Sequence, residues 1–107
     1  GFWFQTYSEN LPSNQKITLK VKIKGNMSGE GAAIAIRADD TTILNRTGEQ
    51  FATTQTSSPM RGQFDWKEYR VELANLDPSS NSVTIFLMML PNTTGEVYFD
   101  DVRILHE

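Results

Sequence analysis

The segment QKITLKVKIKG, residues 15–25, alternates without a break. Ile17, Leu19, Val21 and Ile23 fall on one side, and Thr18, Lys20, Lys22 and Lys24 on the other. Side chains of an extended chain point alternately to the two faces of a sheet, so this period of two predicts an antiparallel strand with one face in a core and one in water. The alternation returns in WKEYRVELANL, where Tyr69, Val71 and Leu73 oppose Glu68, Arg70 and Glu72. GAAIAIRADD sets Ile34 and Ile36 against Ala33, Ala35, Arg37 and Asp39, while SVTIFLMML is continuously apolar and predicts a central strand covered on both faces. GFWFQTY, EQFATTQT and EVYFDDVRIL complete the strand candidates. NMSGEG, the stretch around Asn45 to Gly48, SSPMRGQFD, DPSSN and PNTTG punctuate them as loops and turns. About seven strands at nearly regular spacing, with no amphipathic helix between them, predict an all-β antiparallel β-sandwich or jelly roll and disfavour a parallel α/β sheet.

Length and composition bound what such a sandwich can do. The chain has 107 residues, the size of one domain spanning 1–107. A chain this long buries roughly two-thirds of its unfolded surface, enough for a modest core. It has no cysteine, which removes disulfides and Cys-based zinc sites. The net charge of −3 and the few, dispersed basic residues argue against a nucleic-acid partner. Lys16, Lys20, Lys22 and Lys24 are spaced as a solvated strand face. The longest apolar run, Ile85 to Pro91, is far short of the ~20 residues of a membrane-spanning helix. There is no initiator Met and no signal-peptide pattern, and the chain opens directly on strand-like sequence. The expectation is a fragment or accessory module of a larger protein. Three N-x-S/T sequons, at Asn26, Asn45 and Asn92, lie in Thr-, Ser- and Asn-rich stretches.

A catalytic constellation is hard to assemble. The single histidine, His106, is next to the C-terminus, where chains usually fray, and there is no G-x-S-x-G. Glycosidase chemistry needs two carboxylates about 5–10 Å apart across a cleft. In a regular strand the neighbours Asp100 and Asp101 point to opposite faces, as do Asp39 and Asp40. A pair drawn from separate strands, Glu68 or Glu72 with Asp101, is the remaining route to a small hydrolase. Phosphate-cradling glycine motifs are absent, and GNMSGEG carries an acid where a phosphate would want a base.

The order Trp66-Lys-Glu-Tyr69-Arg-Val71-Glu-Leu73, then the apolar strand Val83 to Leu90, then Gly95-Glu-Val-Tyr98-Phe99-Asp100-Asp101-Val102 resembles the C-terminal portion of carbohydrate-binding modules of the galactose-binding-like jelly-roll type. QKITLKVKIKG resembles an earlier strand of the same modules, and the likeness covers most of residues 14–104. The resemblance implies a non-catalytic, glycan-binding accessory module of an extracellular, cell-surface or periplasmic bacterial protein. It also implies an N-terminal strand that this sequence does not contain. In many relatives a structural calcium ion sits between that strand and an Asp of the last strand, to which Asp100 or Asp101 corresponds, and the partner residues from the first strand have no match here. No other cofactor is implied. The alternative is a structural domain of the same fold, packing against a neighbouring catalytic domain or subunit without sugar. Exposed strand edges would allow self-association.

Sugar recognition rests on aromatic rings that stack on apolar sugar faces and on polar groups that fix the hydroxyls. In GFWFQTY, the fully apolar Phe2 and Phe4 are expected to point inward, leaving Trp3, Gln5 and Tyr7 to form a platform on the opposite face. Arg37 and Asp39 are expected on that same face, where Ala33 and Ala35 leave space. Gln55 and Gln63 are further candidates, Trp66 is read as closing the core, and Met88 and Met89 as packing residues.

Overall fold

The computed structural model describes residues 2–40, 50–55 and 60–106. Its strands are β1 (Phe2–Tyr7), β2 (Ile17–Asp39), β3 (Gln50–Thr53), β4 (Met60–Leu73), β5 (Ser82–Met89) and β6 (Thr93–His106), and every pairing is antiparallel. There is no helix among the described residues. The all-β antiparallel sandwich expected from the alternation is the observed fold.

β2 organises everything else. Its first half lies between β4 and β6, and its second half between β5 and β3, with β1 added outside β5. At about 3.3 Å per residue a straight strand of 23 residues would run well over 70 Å, yet the longest dimension of the molecule is 40 Å. The strand must therefore turn sharply, and it does so at Gly29 and Gly31, whose φ angles are +104° and +95°. A side chain at either position would collide with backbone, since a Cβ on Gly29 would overlap the carbonyl oxygen of Asn92 and one on Gly31 that of Met60. Thr93 pins the corner, its Oγ1 accepting from the Gly31 N–H at 2.9 Å and donating to the Gly31 carbonyl at 3.2 Å. Two sequence-predicted strands, QKITLKVKIKG and GAAIAIRADD, are thus one continuous strand. The predicted loop NMSGEG holds the corner, but its Met27 and Ser28 still pair with β6.

The two halves of β2 become two layers around one core. Ile17, Leu19, Val21 and Ile23 of the first layer meet Ile34, Ile36, Ile85 and Leu87 of the second, all buried. DPSSN is the turn expected, built on Asp77, whose Oδ1 accepts from the Ser79 N–H at 2.9 Å and the Ser79 hydroxyl at 2.8 Å. SSPMRGQFD and PNTTG, read as a loop and a turn, contribute their ends to β4 and β6. The turn expected around Asn45 to Gly48 falls outside the described residues.

Candidate functional site

Residues directly opposite in an antiparallel pair point to the same side of the sheet. In the second layer the register sets Phe2 and Ala33 beside Met88, Phe4 and Ala35 beside Phe86, Thr6 and Arg37 beside Thr84, and Phe51 beside Arg37. These residues form the outer face of β1, β5, β2 and β3. The rings of Phe2, Phe4 and Phe86 make a tilted cluster with centroids 5.9–6.5 Å apart. The Arg37 guanidinium carbon lies 5.3 Å from the centre of the Phe86 ring, and its Nε donates to Asp39 Oδ2 at 3.0 Å. Phe2 and Phe4 are 65% and 56% exposed. Ala33 and Ala35 supply the floor, so the surrounding rings stand proud of the sheet. Two adjoining hollows, of ≈ 350 and ≈ 190 Å³, share Gln55 and Met88; the first reaches Phe2, and the second reaches Ala35, Phe51 and Phe86.

This corrects the face assignment of GFWFQTY. Trp3, Gln5 and Tyr7 pair with Leu87, Ile85 and Val83, which are core residues, so they belong to the inner side of the sheet. Phe2 and Phe4 take the outer side with Arg37. The sequence argument failed because it took the more apolar pair as inward, and a strand at the border of a layer has no such obligation: among the described residues β1 pairs only with β5, and Trp3 stays 48% exposed on its own side. Tyr7 instead borders a small hollow with Ile17, Val83, Ile104 and His106. Of the six residues proposed from sequence as ligand contacts, the structure puts Arg37 and Asp39 in contact, sets Gln55 at the same face just beyond the end of β3, and places Trp3, Gln5 and Tyr7 on the other face.

Phe4, Phe51, Phe86 and Met88 were missed as surface residues. SVTIFLMML is apolar on both faces because its outward residues are covered by neighbouring side chains in the same sheet. Met89 packs on the core, whereas Met88 lines both hollows. The signal available was the pair of alanines in GAAIAIR, which leave neighbouring strands open to view.

The outer face of the first layer is different. Lys22 stands opposite Glu68 on one side and Asp100 on the other. From Lys20 to Lys22 the partner changes from Arg103 to Asp100, so β6 carries one extra residue there: a β-bulge at Asp101, which has φ +51°. The expected separation of Asp100 and Asp101 holds only for a regular strand. The bulge brings the Asp101 carboxylate onto the same face, with Oδ1 accepting from Arg103 Nε at 2.8 Å and Oδ2 lying 3.5 Å from Lys22 Nζ. The Arg103 hydrogen bond, then its charge and that of Lys22, hold the Asp101 carboxyl below its ordinary value. Asp100 Oδ1 accepts the Asp101 N–H at 2.8 Å. These carboxylates are committed to cations and backbone, and no cluster of three or more acidic or histidine ligands occurs among the described residues. A calcium ion needs about six oxygens, so this donor set does not fit one. Glu68 and Asp101 are separated by β2, with Lys22 between them on an open surface, and Glu72 pairs with Lys16 at 3.9 Å. His106 lies within β6, its Nδ1 2.8 Å from Gln15 Oε1.

Trp66, expected to close the core, is 47% exposed. A second register slip, between Ile23–Lys67 and Gly25–Phe64, gives β4 an extra residue beside it. Phe64 fills the core position instead, edge-on to Tyr69 with centroids 6.2 Å apart.

No protein-family model and no curated protein matches the chain. Among solved structures, one reported as "CBM4 structure and function" aligns with 99% of this chain at a TM-score of 0.62 and 18% sequence identity. The alignment covers 61% of that chain, so the present sequence spans less than two-thirds of its length. The architecture of this chain is that of a carbohydrate-binding-module-like β-sandwich.

Proposed function

We propose that the chain is a non-catalytic carbohydrate-binding module of a secreted or cell-surface bacterial protein, docking glycan on the outer face of β1, β5, β2 and β3. The observation that supports this reading is the aromatic row of exposed Phe2 and Phe4 and half-buried Phe86, bordered by Arg37 and Gln55, on a sheet floored by alanine. Sugar rings present C–H faces that stack on such rings, while the guanidinium and amide groups bond to the hydroxyls at the rim. Arg37 is held in place by Asp39, so it meets a ligand already oriented. Docking of this kind raises the local concentration of a polysaccharide around a tethered neighbour.

Affinity electrophoresis of the whole chain through gels containing cellulose derivatives, xylan or β-1,3-glucan tests the reading. Retardation by at least one polymer is expected, and Phe86→Ala or Phe4→Ala should weaken it about tenfold, the loss of one good stacking contact. Trp3→Ala should leave retardation unchanged. Loss on Trp3→Ala alone would move the site to the inner side, and no retardation by any polymer would remove the reading.

A second reading has its own observation. Trp3 and Tyr7 are partly exposed on the inner side of β1, beside an edge of that strand that pairs with no other strand among the described residues. A neighbouring domain or subunit packing there would bury them without any sugar. Protection of the Trp3 indole from a fluorescence quencher in the longer parent protein, but not in this chain, distinguishes that arrangement.

A further inference from the structure

We infer that the chain carries a second site for a short neutral saccharide, on the outer face of the first layer and remote from the aromatic row. The face holds a concavity of ≈ 560 Å³ bordered by Lys24, Asn26, Gln63, Asp65, Glu96 and Tyr98. That volume lies within the ~300–1,000 Å³ of ordinary small-molecule sites.

Its geometry follows from register. Asn26 stands opposite Gln63 of β4 and opposite Glu96 of β6, so two amides and a carboxylate lie abreast across three strands. Neighbouring strands are about 4.8 Å apart, so these side chains can reach separate, non-adjacent hydroxyls of one sugar. One row away, Lys24 faces Tyr98. The Tyr98 hydroxyl donates to Glu96 Oε2 at 2.7 Å, which fixes a ring that is 51% exposed. The bulge in β4 places Asp65 at the opposite rim, its Oδ1 accepting from the Trp66 N–H at 2.8 Å. The side chains of Lys24, Asn26 and Gln63 have no hydrogen-bond or ion-pair partner among the described residues.

The chemistry selects the ligand class. Amides both donate and accept, carboxylates accept, and an oriented phenol ring offers a surface for C–H groups: together these match a polyol with an apolar face. A phosphate or sulfate would meet two carboxylates for a single lysine. A hydrocarbon would strand the amides. The site stands on these residues alone and does not rest on the aromatic face across the sandwich. With both occupied, one chain would hold two glycan strands on opposite faces.

The test is a two-dimensional ¹H–¹⁵N NMR titration of the whole chain with cellotetraose, xylotetraose and chitotriose in turn. At least one sugar should shift the side-chain NH₂ signals of Asn26 and Gln63 together with the backbone amides of Lys24 and Tyr98, along one saturable curve. Gln63→Ala and Tyr98→Ala should each raise the fitted Kd about tenfold, and Tyr98→Phe, which keeps the ring and loses its tether, by less. Both residues are exposed, so the variants should keep the signal dispersion of the folded chain. Phe86→Ala should leave these shifts intact. Absence of saturable shifts at Asn26 and Gln63 with all three sugars overturns the inference, as do shifts that survive both alanine variants. Shifts confined to the Phe4 and Phe86 region overturn it while leaving the proposed function standing.

Discussion

The two outer faces of this sandwich are made by one strand, and they carry opposite chemistry. The first half of β2 turns Lys20, Lys22, Lys24 and Asn26 outward; the second half turns out Ala33, Ala35 and Arg37. Long lysine stems cover a sheet by themselves and keep their charges in water. Alanines cover nothing, so the rings of the flanking strands close over them from the sides. A solvated surface and an aromatic platform therefore differ mainly in the size of the residues on the central strand. The corner at Gly29 and Gly31 lets one strand supply both.

That corner is where the comparison breaks most completely. Gly31→Ala puts a methyl group against the Met60 carbonyl at φ +95°, and should destabilise by at least about 3 kcal/mol in urea unfolding. Gly62→Ala is the control: its φ is +74° with open space around the position, so strain alone acts and about 1 kcal/mol is expected. Equal effects would mean that the corner does not need glycine.

Next in size is the contrast between the faces. Phe86→Ala removes contacts with the Phe2 and Phe4 rings and with Arg37, and should cost about 2 kcal/mol. Lys22→Ala on the charged face should change stability by less than about 0.5 kcal/mol. Similar values would show that the aromatic row is a loose decoration and not a packed unit.

Thr54→Val is expected to fall slightly below Phe86→Ala. Thr54 is buried beyond the end of β3, where its Oγ1 accepts the Ile34 N–H and its own N–H donates to the Ile34 carbonyl, each at 3.0 Å. The valine keeps the shape but orphans a buried donor, for about 1–2 kcal/mol. Hydrogen exchange at Ile34 should accelerate relative to Ile36; unchanged protection would show that another acceptor replaces the hydroxyl.

How much of this was legible in the sequence follows from what each signal encodes. Ile17 to Ile23 was readable because alternation reports burial directly. The corner was partly readable, since NMSGEG signals a break without saying that pairing continues on both sides of it. The candidate platform was only half readable. Arg37 and Asp39 share a face as expected, but their neighbours on it are Phe2 and Phe4 in place of Trp3, Gln5 and Tyr7, because hydrophobicity alone does not orient a strand at the border of a layer. Phe86 and Met88 were hidden inside an apolar run whose two faces look alike. The bulge at Asp101 had no sequence signal beyond an adjacent pair of acids, and register is a property of two strands.

Asp101 gives the smallest effect and the finest division between charge and shape. Its folded carboxyl is held below the ordinary value of 3.8 by Arg103 first and by Lys22 after it. The native state thus binds that proton less tightly than the unfolded chain. The resulting stability is fully present above the ordinary carboxylate range and is lost as pH falls through the lowered native value. Asp101→Asn is the informative change, because Asn tolerates φ +51° as well as Asp and so leaves the bulge in place. The melting temperature of the variant should lie slightly below that of the parent at neutral pH and low salt. The gap should close in acid, and also in ~1 M salt, where the screening length is only about 3 Å. A gap that persists unchanged through both conditions would mean that Asp101 serves the backbone of the bulge, and that the ion pairs on this face add nothing to the fold.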